Sequence, residues 1–213
     1  MGGGLIELVV IVALALGLAL AIQAWVVKPY QIPSESMEPT LDVGQRILVN
    51  RFLYNFTDPS VGDIIVFHPP AGASEEDVGG ECGKRPREGE ACDTPTAKES
   101  SENFVKRIVA VPGDDVRVIH GRAIVNGEET SAANGAAIEN CGKPLPRSQW
   151  NTVEADSSCN FPKTIVIPPD HYFMMGDNRA NSRDSRFWGP VPRDWIIGEA
   201  FATYWPPDRI GTL

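Results

Sequence analysis

No two cysteines in this chain stand close enough to clasp a zinc ion. Cys82, Cys92, Cys141 and Cys159 form no C-x-x-C unit, and zinc sites are usually built from such close-set pairs. Clustered basic residues are missing as well. The formal net charge is −9, with no stripe of Lys and Arg to follow a phosphate backbone, which argues against a nucleic-acid partner. Histidine is scarce, at three residues: His68 precedes a diproline, His120 stands beside a glycine, and His171 follows Pro-Pro-Asp. Each reads as a surface or turn residue, and no G-x-S-x-G elbow is present to present a serine to one of them. The first residues carry no basic cluster, which argues against a cleaved signal peptide. Beyond residue 28 no stretch has the helical period.

What the chain does contain starts with a long apolar run. Residues 8–27 are all apolar or small except Gln23. At 1.5 Å per residue they reach roughly 30 Å, the thickness of a hydrocarbon core, so a single transmembrane helix is expected within residues 1–28. Flanking charge does not orient it, because Lys28 lies on the far side and the N-terminus carries only Glu7. Pro29 is expected to end this helix.

Residues 29–213 read as one mainly β domain. Gly 20 and Pro 18 suit strands joined by many turns. Short β-branched runs at 46–50, 63–67, 104–111, 115–119, 122–125, 164–167, 172–175 and 195–203 predict an antiparallel sheet, with hairpin turns at His120-Gly121 and Asn126-Gly127. Two polar insertions interrupt the strands, at about 71–103 and 130–161, and the first reads as a solvated loop. Each holds two cysteines. Four cysteines without a metal pattern point to disulfides on the oxidising side of a membrane. Pairing of neighbours, Cys82 with Cys92 and Cys141 with Cys159, is the simplest of three connectivities, and the sequence leaves the choice open. Trp188, Trp195 and Trp205 fit a bilayer interface or a core equally well.

The chemistry concentrates just after the apolar run, in Y-Q-I-P-S-E-S-M-E-P-T-L at residues 30–41. Pro33 and Pro39 favour extended backbone before them, and in an extended segment Ser34 and Ser36 point to one side. A hydroxyl needs a base before it can attack. Lysine serves if burial lowers its pKa by several units. In the strand at 104–111, Lys106 shares a face with Phe104 and Ile108, and Arg107 shares the other with Val105 and Val109. Both faces are apolar, so alternation alone does not say which is inner. A guanidinium does not deprotonate in proteins, so only Lys106 can act as the base.

P-S-x-S-M-x-P-T-L resembles the nucleophile box of the bacterial type I signal peptidases, membrane-bound serine endopeptidases that remove signal peptides. R-I-L-V-N (residues 46–50), F-V-K-R-I-V-A-V-P-G-D (104–114) and G-D-N-R-A-N-S-R-D-S-R-F-W-G-P-V (176–191) resemble that family in the same order. The resemblance implies Ser36 as nucleophile, Lys106 as general base, and Ser34 with the Ser36 N–H as oxyanion hole. It implies that Ser182 directs the lysine amine through a hydrogen bond, and that Asp177, Asp184 and Arg186 are supporting charges. Arg107 is expected to pair with Asp177. Tyr30, Ile32, Leu41, Phe104 and Val105 match positions lining shallow apolar pockets that admit alanine. Ala180 stands where the family commonly has a second Asp, and Glu35 fills the variable place between the serines.

The resemblance further implies a substrate strand beside 31–34 and 104–106, a small-x-small cleavage site, and no metal or organic cofactor. The expected partners are preprotein signal peptides, the lipid bilayer and the protein translocase. The catalytic body is expected on the extracytoplasmic face of the cell membrane, behind a short cytoplasmic N-terminus. Two other readings use parts of this pattern: a Ser/Lys regulatory or self-cleaving protease, and an inactive membrane-anchored β binding module.

Overall fold

The computed structural model describes residues 3–73, 82–84, 86–130, 141, 143, 145–155 and 159–213. Helix α1 (Gly3–Trp25) is followed at once by β1 (Val27–Gln31). Pro29 therefore does not end the helix, contrary to expectation. It sits inside β1 opposite Leu48, on an edge strand, where a residue without an N–H is tolerated. Side chains within α1 are described at 4, 6–18 and 20, and among these residues the large apolar groups stand exposed, Leu14 at 68%. No helix of the described residues is long and apolar enough to cross a membrane.

The strands then run β2 (Arg46–Asn50), β3 (Ile64–Phe67), β4 (Phe104–Ala110), β5 (Asp115–Ile119), β6 (Arg122–Val125), β7 (Glu128–Glu129), β8 (Phe161–Val166) and β9 (His171–Met175). A one-turn helix α2 (Ser185–Trp188), β10 (Val191–Pro192), β11 (Ile196–Trp205) and β12 (Gly211–Thr212) complete the chain. The main sheet is ordered β1-β2-β11-β3-β4-β9-β10, with β12 on β11, and a smaller sheet is ordered β7-β6-β5-β8. Every pairing between two of these strands is antiparallel. The mainly β, antiparallel expectation thus holds, and its strand positions agree with these to within a few residues.

Local sequence explains the pieces that place the site. The I-I-V-F run of β3 is buried at all four positions, as an uninterrupted apolar strand covered on both faces must be. Its even members Ile64 and Val66 join Val105 of β4, Ile32, Met37, Leu41 and Ile47 in one core. Its odd members Ile65 and Phe67 join Phe104, Ile108, Met174 and Trp188 in a second core on the other face. The smaller sheet is built on two hairpins whose turn residues, His120-Gly121 and Asn126-Gly127, all have positive φ. That is the requirement of the tight turn that matches strand twist. A third core clamps this sheet to β4 and β9 through Val109, Ala110, Phe173 and Met175. Burying each of the larger side chains, Val109, Phe173 and Met175, stabilises the fold by roughly 1.5–3 kcal/mol.

Both disulfides join sequence neighbours, Cys82–Cys92 and Cys141–Cys159. The insertion at 71–103 lies partly outside the described residues (74–81 and 85), and the one at 130–161 likewise (131–140, 142, 144 and 156–158). The described part of the first is not merely a solvated loop. Ala91 and Cys92 are buried, and the Cys92 N–H donates to the Arg186 carbonyl of α2. In the second, the guanidinium groups of Arg117 and Arg147 both lie over the Trp150 ring, 5.5 and 5.8 Å from its centroid. The tryptophans divide: Trp188 is fully buried, whereas Trp205 is half exposed at the end of β11. Helix α2 was not expected, since one turn is too short to show a period.

Candidate active site

The backbone is extended only as far as Ser34. Residues Glu35–Met37 then form a 3-10 turn, so Ser36 is carried by that turn and not by an extended strip. Met37 is the reason: its side chain is drawn wholly into the core that also holds Ile32 and Leu41, which curls the chain after Pro33. The two hydroxyls still meet, with Ser34 Oγ 3.2 Å from Ser36 Oγ. Ser34 makes no side-chain cap to the turn, and the leading N–H groups of a helical turn have no partner within it.

Lys106 reaches this turn from β4. Its Nζ donates to Ser36 Oγ at 2.6 Å, and the residue is only 3% exposed. The amine also lies over the Phe104 ring, 5.6 Å from its centroid, as two residues on one strand face should. Burial lowers the Lys106 pKa from 10.5 to about 8; Asp184 and Asp177 oppose that drop and Arg186 reinforces it. A much larger fraction of the amine is therefore uncharged near neutral pH than an exposed lysine would offer.

Two ion pairs hold the surroundings. Arg107, next to Lys106, grips Asp177 through Nε at 2.9 Å and Nη2 at 2.7 Å, and Thr40 donates to the same carboxylate at 2.6 Å. The expected Arg107–Asp177 link is thus present. Thr40 extends it to the serine segment, tying both halves of the site to one buried carboxylate. Asp184 caps α2 and pairs with Arg186 at 2.7 Å, both side chains fully buried. Burial pushes the Asp184 carboxyl up, but Arg186 and the Gly176 N–H hold it below the ordinary carboxylate range.

Removing one partner from such a pair strands a buried charge. Asp177→Ala is expected to lower stability by about 3–5 kcal/mol in denaturant titrations. Loss of an anion near Lys106 also favours the neutral amine. Any residual activity should then keep its acid limb at lower pH than in the parent protein.

The loop of residues 176–184 closes the site. The Asn178 N–H donates to the Ser36 carbonyl, and the Asn178 and Asn181 side-chain amides reach the Glu35 carbonyl and carboxylate. Gly176 packs so closely that a Cβ there would collide with the Ser36 carbonyl and the Ser182 side chain. Ser182 lines the same cleft as Lys106 and is 8% exposed. Its hydroxyl has no hydrogen-bond partner among the described residues. The bond to the lysine amine implied by the resemblance is therefore absent, and the amine bonds to Ser36.

A cleft of about 920 Å³ opens over the pair, walled by Ile32, Phe104, Val105, Ala73 and Phe187. Ile32, Phe104 and Val105 thus stand where pocket residues were expected. Leu41 does not: it is fully buried in the core, facing away from the cavity as a consequence of the turn at 35–37. Tyr30 packs at the edge of that same core. The three histidine rings hydrogen-bond to backbone carbonyls of Glu102, Lys143 and Pro169, and no histidine is among the residues lining the cleft. Thr40, Gly176, Asn178 and Asn181 were not singled out from sequence. Each lies within a family-like motif, but nothing about a threonine, a glycine or an asparagine in a turn-rich stretch marks it in advance.

A hydroxyl bonded to a buried amine of lowered pKa, at the floor of an open cleft, is chemically fit to attack a carbonyl carbon, the work of a hydrolase. Comparison with known proteins narrows that class to the peptidases. The model of the family described as "Signal peptidase, peptidase S26" matches residues 5–205. The chain belongs to this signal peptidase family and is a hydrolase of peptide bonds. It is 35% identical to the signal peptidase I of Leptolyngbya laminosa over 209 residues, spanning 98% of this chain and 84% of that protein. Its identity to a probable signal peptidase I-2 of Synechocystis is 34% over 196 residues, 92% and 71% of the two chains. Signal peptidase I of Aquifex aeolicus is 32% identical over 228 residues, 87% and 78% of the two chains.

Proposed function

We propose that this chain is a membrane-bound serine endopeptidase that removes signal peptides from exported preproteins after a small-x-small site. The observation that carries the reading is the 2.6 Å contact of the buried Lys106 amine with the Ser36 hydroxyl. In this reaction the neutral amine takes the Ser36 proton while Oγ bonds to the scissile carbonyl carbon. The negative charge that develops on the carbonyl oxygen is met by Ser34 Oγ and the Ser36 N–H. Lys106 then gives its proton to the departing amine, leaving an acyl-Ser36 ester. Water, deprotonated by the same lysine, hydrolyses the ester. Ser182, which lines the same cleft as Lys106, is the hydroxyl that can accept from one of the amine's remaining N–H groups during the reaction.

Helix α1 is the proposed anchor. Its support is the apolar run of residues 8–27 in the sequence, interrupted only by Gln23, and the exposure of the large apolar side chains described on the helix. The disulfides favour an oxidising compartment for the catalytic body, hence the extracytoplasmic face. There a preprotein emerging from a translocase presents its cleavage site in the plane where the enzyme is held. Its extended stretch adds as a strand between 31–34 and 104–106, with small side chains against Ile32, Phe104 and Val105.

A preprotein with Ala-x-Ala before the junction should yield one new N-terminus directly after the second alanine, identified by mass spectrometry. Replacing that alanine by leucine should stop cleavage. Equal cutting of the leucine substrate would contradict the reading.

A further inference from the structure

The cleft carries charge unevenly. Its charged lining residues, besides Lys106, are Glu35, Glu102 and Arg183. Glu35 is already engaged by Asn181 at 3.1 Å. Arg183 follows Ser182 on the facing loop and is half-buried. Glu102 is different: it is exposed, and no described residue pairs with its carboxylate. Nor is it loosely placed. Its N–H donates to Ser100 Oγ at 3.2 Å, and its carbonyl meets His68 Nδ1 at 2.8 Å. Both backbone groups of Glu102 are therefore spent within the protein.

That arrangement has a consequence for an extended substrate. A strand laid parallel along β4, as upstream residues beside both 31–34 and 104–106 require, can exchange backbone hydrogen bonds only down to residue 103, because the next residue has none to offer. Past that point the protein reads the substrate by side chain alone, and the side chain is a carboxylate. Glu102 precedes Lys106 by four residues, roughly 13 Å at 3.3 Å per extended residue. With the scissile bond at Lys106, the substrate residue beside Glu102 is the one about five positions before the cut.

Resting on the substrate alignment proposed above, we infer that Glu102 sets a charge preference at this upstream position. The enzyme favours Lys or Arg about five residues before the scissile bond and disfavours Asp or Glu there. Isolated exposed pairs change rates by only a few-fold, so attraction in one case and repulsion in the other together give about five- to twenty-fold.

The test uses the full-length enzyme in neutral detergent with three peptides. They share an Ala-x-Ala site and differ only at the fifth residue before the cut, which is Lys, Gln or Glu. At low salt kcat/KM should fall in the order Lys, Gln, Glu, and the Lys-to-Glu ratio should shrink toward one in 1 M NaCl, where screening acts over about 3 Å. E102Q should bring the ratio close to one while cleaving the Gln peptide as the parent does, and E102K should invert the order. A parent ratio near one, a preference for Glu, or a ratio that E102Q leaves unchanged overturns this inference alone. Cleavage that persists in Ser36→Ala would overturn the underlying assignment of the nucleophile, and this inference with it.

Discussion

A Lys106→Met variant is expected to cleave preprotein roughly 10²- to 10⁴-fold more slowly than its parent, the range that a positioned proton-transfer group supplies. Lys106→Arg should be no better, because a guanidinium keeps its proton and cannot accept another. Ser36→Ala, with no hydroxyl left to acylate, should lose at least as much. The same contact fixes the pH profile. With the Lys106 pKa lowered to about 8, kcat/KM should rise through that pH as the amine loses its proton, ten-fold per unit on the acid side. An acid limb centred near 6.5 would instead indicate a histidine, and a flat profile would remove the lysine from the reaction.

The same lowered pKa makes stability depend on pH. The native state binds the Lys106 proton less tightly than the unfolded chain, whose lysine titrates near 10.5. Below about pH 8 both states are protonated and the burial penalty is felt in full. Between 8 and 10.5 the native state alone is neutral, so stability rises with pH. Lys106→Met, which carries no charge to bury, should therefore be more stable at pH 7, by an amount on the order of 3 kcal/mol. A variant that is both inactive and harder to unfold is the mark of a residue kept for chemistry at the expense of the fold. Thermal unfolding of the two proteins side by side checks this.

The second large effect needs no change in any reacting group. Gly176→Ala adds one methyl where the Ser36 carbonyl and the Ser182 side chain already meet the backbone. The Ser182 side chain can turn aside, but the Ser36 backbone is not free to yield. Ser36 O accepts from Asn178 N–H, and the Gly176 N–H is bound to buried Asp184. The turn holding Ser36 must therefore shift, and a displacement of about 1 Å from attacking geometry can lower the rate on the order of 100-fold. The loss should fall on kcat more than on KM, since Ile32, Phe104 and Val105 are untouched. Full activity in Gly176→Ala would mean that the loop at 176–184 is not what sets the serine in place.

Much of this site could be read before any coordinates. Strand alternation separated Lys106 from Arg107, and the two cores on opposite faces of β3 and β4 show why: Phe104 and Ile108 go with one, Val105 with the other. The Arg107–Asp177 pair also followed from placing opposite charges in consecutive boxes. What escaped depends on tertiary packing. Met37 entering the core converts an extended strip into a turn and takes Leu41 with it. The edge position of β1 lets Pro29 sit within a strand. Gly176 and Asn178 act through backbone proximity, which leaves no trace in residue type. Ser182 lies in the cleft as expected, yet its hydroxyl is unengaged while Ser36 holds the amine.

The order of the main sheet bears on how the two halves of the site are held together. The strands flanking the serine segment, β1 and β2, are not hydrogen-bonded to the strands that carry the lysine, β3 and β4. Between them runs β11, residues 196–205. No backbone ladder joins the two halves of the site directly, so their mutual placement passes through this one strand and through the core they share at Ile32, Met37, Val66 and Val105. A substitution that loosens β11 should therefore disturb the spacing of Ser36 and Lys106 without touching either residue.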